Sequence, residues 1–305
     1  MQVPRTVLRW SRTPTSIPPP LDRLWRLLSA NPVVFMALSF MLTVLVVGLV
    51  AEQISPYGPN EQNIPMRLAP PAWAGGTGAH FLGTDALGRD VLARLLHGTR
   101  LTILIPLVGI GISLSLGVLL GLIAGYFGGT ADAIIMRTVD AQMALSSKLL
   151  ILVIVVLIGP GVMTLMLVFG LANWVIYARI VRGAVLSLRE APFVQAARVI
   201  GCSNARVIFA HVMPNLVGVL ISVATVEMAA LMVTEAGLSF LGFGVQPPTV
   251  SWGLLIAEGR NYMTVDGWLV TFPGLAISST VLAFSLAGSW LREITSPFRV
   301  SFKDK

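Results

Sequence analysis

The sequence predicts an all-α, polytopic membrane protein with six transmembrane helices and both termini in the cytoplasm. Its 305 residues are 55% hydrophobic and 11% charged, with a mean hydropathy of +0.82, whereas soluble domains carry about 25% charge. Apolar runs of the roughly 20 residues needed to cross a bilayer recur six times. With both ends inside, the outer segments hold only Arg67, Arg89, Arg94, Arg100 and Arg260, and the other 16 of the 21 Lys and Arg residues lie on the inner side. That asymmetry follows the positive-inside rule, and an inverted chain would reverse it. The net charge of +7 is spread between apolar spans, so topology explains it better than nucleic-acid binding. The single Cys202 excludes an intrachain disulfide,.

Residues 1–32 form a cytoplasmic tail, proline-rich up to Pro20, with Leu21–Ser29 as an interfacial helix,. Asn31-Pro32 marks the boundary,. The first span, residues 33–50, follows this long tail without a small-residue cleavage site, so it does not read as a signal peptide,. Residues 51–100 make an extracytoplasmic segment. Its Pro- and Gly-rich part, Pro56 to Gly78, reads as loop,. There Thr84 is expected to cap a helix through Val91, Leu92, Leu95 and Leu96,.

Residues 101–292 form the main transmembrane unit. Span two, Leu101–Tyr126, carries Gly117, Gly121 and Gly125, a ladder suited to close helix packing,. Span three, Ala141–Ile158, is preceded by Asp132, Arg137 and Asp140, and Lys148 is expected to snorkel toward the cytosolic surface,. Gly159-Pro160-Gly161 turns the chain into span four, Val162–Ala178. Spans five and six are Leu216–Leu238 and Leu269–Trp290, and residues 293–305 return to the cytoplasm.

The loop at about 183–214, between spans four and five, is polar and helical. Ser187 and Glu190 fit a capping box that opens a helix,. Gly201 ends it, since glycine takes the left-handed conformation cheaply,. A second helix is expected from Ser203 or Asn204 to Met213, with Pro214 marking a turn into span five.

The spacing in this loop is Gln195-Ala196-Ala197, three residues, Gly201, nine residues, His211-x-Met213-Pro214. It resembles the E-A-A-x3-G-x9-I-x-L-P loop of bacterial ABC importer permeases, by which a membrane subunit grips a cytoplasmic ATPase. Gln195 stands for the acid, His211 for the aliphatic and Met213 for the leucine. Four further blocks, at 80–101, 121–140, 235–253 and 271–293, resemble C-type permeases of the dipeptide/oligopeptide/nickel importers, although Ser146 and Lys148 depart from the usual Pro and apolar residue. The resemblance implies a membrane-spanning, non-catalytic subunit in the bacterial cytoplasmic membrane. Its expected partners are a second homologous permease, two ATP-binding cassette subunits and an extracytoplasmic binding protein. ATP and Mg belong to the ATPase subunits, with no cofactor on this chain. The implied cargo is di- or oligopeptides, with nickel, glutathione or another small solute as the alternative.

No G-x4-G-K-[ST] phosphate loop occurs,, and His80, His97 and His211 lie on separate loops without an H-E-x-x-H zinc motif,. A self-sufficient carrier would show inverted repeats, and an intramembrane enzyme would need a nucleophile–base set; neither pattern is visible. Glu227 lies in the apolar run of span five, where a charge costs about 2.5–3.5 kcal/mol. It reads either as a pathway residue favouring a cationic group or as a structural hydrogen-bonding carboxyl. Glu235 reads as a gate or a packing residue. Trp252, Tyr262 and Trp268 read as interfacial aromatics,.

Overall fold

A computed structural model describes residues 31–295 of the chain. The expected Leu21–Ser29 helix, the rest of the N-terminal tail and residues 296–305 lie outside these residues. The described residues form a helical bundle. Helix α1 is Pro32–Ile54 and α2 is Val91–Phe127. After them come α3, Gly129–Met143, α4, Ser147–Ile158, and α5, Val162–Leu188. The short α6, Pro192–Val199, precedes α7, Asn204–Phe240, which contains a π-helical stretch at Val207–Val212. Helix α8 is Trp252–Gly259 and α9 is Trp268–Thr295.

Five of these helices, α1, α2, α5, α7 and α9, are each long and apolar enough to cross a membrane. The sixth expected span is broken: α3 and α4 meet at 83°. Ser146 adopts an extended conformation there (φ −65°, ψ 120°) and α4 starts afresh. Polar Ser146 and Ser147 sit where an unbroken span from Ala141 was expected. Lys148 lies exposed in the first turn of α4.

Other boundaries also move. The helix expected after Thr84 and the second span are one 37-residue helix, and its cap is Asp90, whose side chain accepts from Ala93 N–H at 2.7 Å. Thr84 instead donates to the Met66 carbonyl and accepts from Ala69 N–H, folding the preceding segment on itself. Ser187 is still inside α5, so the expected capping box does not form; Glu190 pairs with Arg189 at 3.1 Å. No turn occurs at Pro214: α7 continues through it, and the missing N–H falls directly after the π-helical stretch Val207–Val212, where the regular i→i−4 ladder is already interrupted,.

The core lies between α2 and α5. Their contact depends on the glycine ladder: a Cβ on Gly117 would stand 2.5 Å from the Trp174 carbonyl and from Tyr177 Cβ, and one on Gly121 2.7 Å from the Ala178 carbonyl. Only bare backbone fits at that separation. Phe169, Tyr177, Val181 and Val185 of α5 are fully buried in this seam. Helix α7 packs on α9, and α1 lies outside against α2 and α9.

At one end of the bundle, here the cap end, α8 wedges between α2, α7 and α9. Trp252 is buried there: its indole N–H donates to the Leu95 carbonyl at 2.8 Å and its backbone N–H to Thr102 Oγ1 at 2.9 Å. It is thus a core residue and not an interfacial one. Tyr262 and Trp268 are likewise half-buried, packed around Leu82, Val91 and Leu269.

Candidate functional site

The loop expected between spans four and five forms the tip of the opposite end of the bundle. Helix α6 begins at Pro192, whose missing N–H costs nothing in a first turn,. Val194 and Ala197, one turn apart, point into the core beside Val207 and Val212,. The helix ends in two nested hydrogen bonds, Gly201 N–H to the Arg198 carbonyl and Cys202 N–H to the Ala197 carbonyl, both 3.0 Å. This pair requires a left-handed residue, and Gly201 supplies it with φ +89°. Ser203 then caps α7 by accepting from Arg206 N–H at 3.4 Å.

The tip is fastened to the end of α2 by three side chains. The Tyr126 hydroxyl donates to Asn204 Oδ1 at 2.9 Å, the Arg198 guanidinium lies 4.9 Å over the Tyr126 ring, and Arg189 Nη1 donates to the Gly125 carbonyl at 3.3 Å. Nearby, Arg182 and Asp132 form a two-bonded pair at 2.5 and 2.7 Å, linking α5 to α3.

Of the residues singled out in the sequence, Gln195, Ala196, Gly201 and Pro214 are exposed, Ala197 is buried, and His211 and Met213 are half-buried. Gln195 Nε2 donates to the Glu190 carbonyl at 3.2 Å. The structure therefore gathers Gln195 to Gly201 on one short element and sets His211, Met213 and Pro214 along the base of α7. The motif reading missed the outward apolar side chains Val199 (88% exposed), Ile200 (82%), Phe209 (67%) and Phe193 (46%). Apolar residues on both faces of α6 were the available signal: one set fills the core, and the other is left uncovered.

Glu227 and Glu235 share α7 but lie about 12 Å apart along it. Glu227 is half-buried with no hydrogen bond or ion pair among the described residues. Tyr177 of α5 is fully buried, and its hydroxyl has no hydrogen-bond partner among the described residues. Glu235 is fully buried. Ser239 and Ser251 donate to its Oε1 at 2.8 and 2.9 Å, while Oε2 abuts Gly253 and has no hydrogen-bond partner among the described residues. It joins α7 to the start of α8.

The cap end holds an ion network that sequence reasoning did not find. Arg89 and Arg94 both reach Asp85 Oδ2 at 2.7 Å and Glu258 Oε2 at 3.0 and 2.5 Å. The five-residue separation of the two arginines gave no hint that one carboxylate of α8 would meet both. Burial also pushes the Asp266 carboxyl above its ordinary range.

Residues 117–299 match the family described as "Binding-protein-dependent transport system inner membrane component", and residues 20–71 match "N-terminal TM domain of oligopeptide transport permease C". The chain is 41% identical to the "Di/tripeptide transport system permease protein" of Pseudomonas aeruginosa, over 92% of this chain and 93% of that one. It is 43% identical to the "Dipeptide transport system permease protein" of Escherichia coli K12, over 91% and 93% of the two chains. Among solved structures, the methionine ABC transporter in an inward-facing conformation matches with 19% identity and a TM-score of 0.48, over 68% of this chain and 96% of that one.

Proposed function

The chain belongs to the family of binding-protein-dependent inner membrane components and is a permease of an ABC importer; from that premise we propose that it carries di- and oligopeptides as one half of the translocation pathway. The relatives named for dipeptide and di/tripeptide transport support this cargo. It works with a second homologous permease, two ATPase subunits that bind ATP and Mg, and an extracytoplasmic peptide-binding protein. This chain performs no catalysis. It lies in the bacterial cytoplasmic membrane with both termini and the 189–206 tip in the cytoplasm.

One observation carries the coupling role: Phe193, Val199, Ile200 and Phe209 stand exposed on a tip whose other face is locked into the core. An apolar surface on a firmly held short helix is what a groove in a soluble partner can bind. Gln195, Ala196, Ala197, Gly201, His211, Met213 and Pro214 shape that element. Ala197 and Gly201 keep it short and close to the bundle, and Pro214 follows the π-helical stretch at the base of α7.

Glu227 lines the pathway and favours the cationic amino terminus of a peptide, since an unpaired carboxyl in a span faces protein interior or water. Glu235 acts as a packing residue at the gate, holding α7 to α8.

The test is purification and transport. The chain should copurify with an ATPase and a second permease, and peptide uptake into vesicles should stop without ATP. Transport by this chain alone without ATP would overturn the reading. Screening the cognate binding protein against peptides of graded length and nickel chelates tests the cargo separately; saturable binding of nickel alone would remove the peptide assignment.

A further inference from the structure

A cavity of about 360 Å³ opens at the cap end between the last turns of α1, the α2 helix and the 248–250 loop. Its walls are unlike its rim. Leu49, Leu101, Leu104 and Val250 make the walls apolar, while Glu52, His97 and Arg100 supply all its titratable groups. Glu52 Oε1 and Arg100 Nη1 are 3.5 Å apart, with side chains 71% and 66% exposed. Such exposed pairs contribute little to stability. The His97 ring bonds the Ala93 carbonyl through Nδ1 at 2.8 Å, which leaves Nε2 without a partner among the described residues.

The depth of the rim is set by two helices independently. Glu52 stands about 30 Å along α1 from its first residue, and Arg100 about 40 Å along α2 from its last. A hydrocarbon core is about 30 Å thick and a whole bilayer about 40–45 Å, so the pair sits at headgroup level with the apolar walls on its bilayer side. The cavity is held in shape by close backbone packing: a Cβ on Gly48 would meet Thr99 Cγ2 at 3.3 Å and Arg100 N at 3.6 Å.

We infer that this cavity binds the headgroup of a zwitterionic phospholipid with a primary ammonium, of the phosphatidylethanolamine type. Arg100 takes the phosphate. Glu52 and His97 Nε2 accept hydrogen bonds from the ammonium, and an acyl chain runs along Leu49, Leu101 and Leu104. A quaternary ammonium has no N–H to give these acceptors, and an anionic headgroup meets Glu52 as a like charge. A free dipeptide offers the same pair of charges. The apolar walls and the headgroup depth select the lipid.

The test offers the purified full-length chain an equimolar mixture of dioleoyl phosphatidylethanolamine, phosphatidylcholine and phosphatidylglycerol, and reads retained lipid by native mass spectrometry. The wild-type chain retains phosphatidylethanolamine over phosphatidylcholine by about two- to fivefold, the scale of one exposed charge interaction. Glu52→Gln removes that preference and shifts retention toward phosphatidylglycerol. Arg100→Gln lowers retention of both phosphatidylethanolamine and phosphatidylglycerol. Both side chains are exposed, so the variants fold. Excess dialanine leaves the wild-type ratios unchanged. Equal retention of the three lipids, a wild-type ratio in Glu52→Gln, or displacement of lipid by dialanine overturns the inference.

Discussion

Replacing Val199 and Ile200 together by serine tests the proposed docking surface separately from the fold. The two side chains are 88% and 82% exposed, so their removal opens no cavity and leaves Val194 and Ala197 in the core. Burying a Val or Ile completely is worth about 1.5–3 kcal/mol. A partner groove covers only part of each side chain, so about 1–1.5 kcal/mol per residue is the reasonable share. The double variant then loses about 2–3 kcal/mol of docking free energy, which at 1.4 kcal/mol per decade weakens the ATPase by about 30- to 150-fold. Titrating the ATPase against the solubilised permeases measures this, with thermal unfolding of the permease as control. Unchanged ATPase affinity in a normally folded variant would refute the assignment of this tip as the docking surface.

Four further outcomes follow from the packing and the charges. Gly117→Ala forces a Cβ to 2.5 Å from backbone and side chain of α5, whereas Gly111→Ala meets nothing within 4 Å. Thermal unfolding should show the first destabilised by about 1–3 kcal/mol and the second neutral or stabilised by up to about 1 kcal/mol. Arg94→Gln removes one of the two cations shared by Asp85 and Glu258 and leaves Arg89 on both; it should cost about 1–3 kcal/mol, the scale of hydrogen bonds to charged groups, seen as faster proteolysis of residues 55–90. Burial favours the protonated Asp266, so its stability contribution is full below the ordinary 3.8 and lost as pH rises through the elevated folded value,. Asp266→Asn should therefore unfold at a higher temperature near neutral pH, with no advantage in acid. Glu227→Gln should slow uptake of peptides with a free amino terminus more than of their N-acetylated forms; equal rates for both would remove the carboxyl from the pathway.

The features legible in the sequence were those with a short-range cause. Six apolar runs, the Gly117–Gly125 ladder and the left-handed Gly201 each depend on neighbours within a few turns. The 83° break before Ser147 was not legible, because apolar residues on both sides of it score as one span. Ser187 and Glu190 had capping-box spacing, but the apolar face of α5 continues to Leu188 and tertiary burial of Val185 outweighs the local cap,. At the candidate site, spacing identified Gln195 to Pro214 yet passed over Val199 and Ile200, since an apolar residue in a membrane protein is expected to be covered. The Asp85–Arg89–Arg94–Glu258 network joins residues more than 160 positions apart and had no local signature.

The path from the tip to the cap end is a single helix. From Asn204, where Tyr126 fastens it, α7 runs 37 residues to Phe240, about 55 Å. It carries Glu227 midway and Glu235 near its end, and Glu235 grips Ser251 at the start of α8. A displacement imposed on the tip by a partner therefore has a covalent, hydrogen-bonded route to the element that closes the far end. The route has one soft place. Residues Val207–Val212 are π-helical, a wider turn with poorer packing that recurs at functional positions in helices. It lies between the exposed Phe209 of the tip and the membrane-spanning length of α7, next to Met213 and Pro214. Its i→i+5 turns interrupt the regular α-helical ladder between the tip and the length of α7 that carries Glu227 and Glu235,. Fully buried Val207 and Val212 bracket the stretch and hold its two ends in the core. At the other end of α7 the hydrogen bond from Ser251 to Glu235 ties the helix to the start of α8.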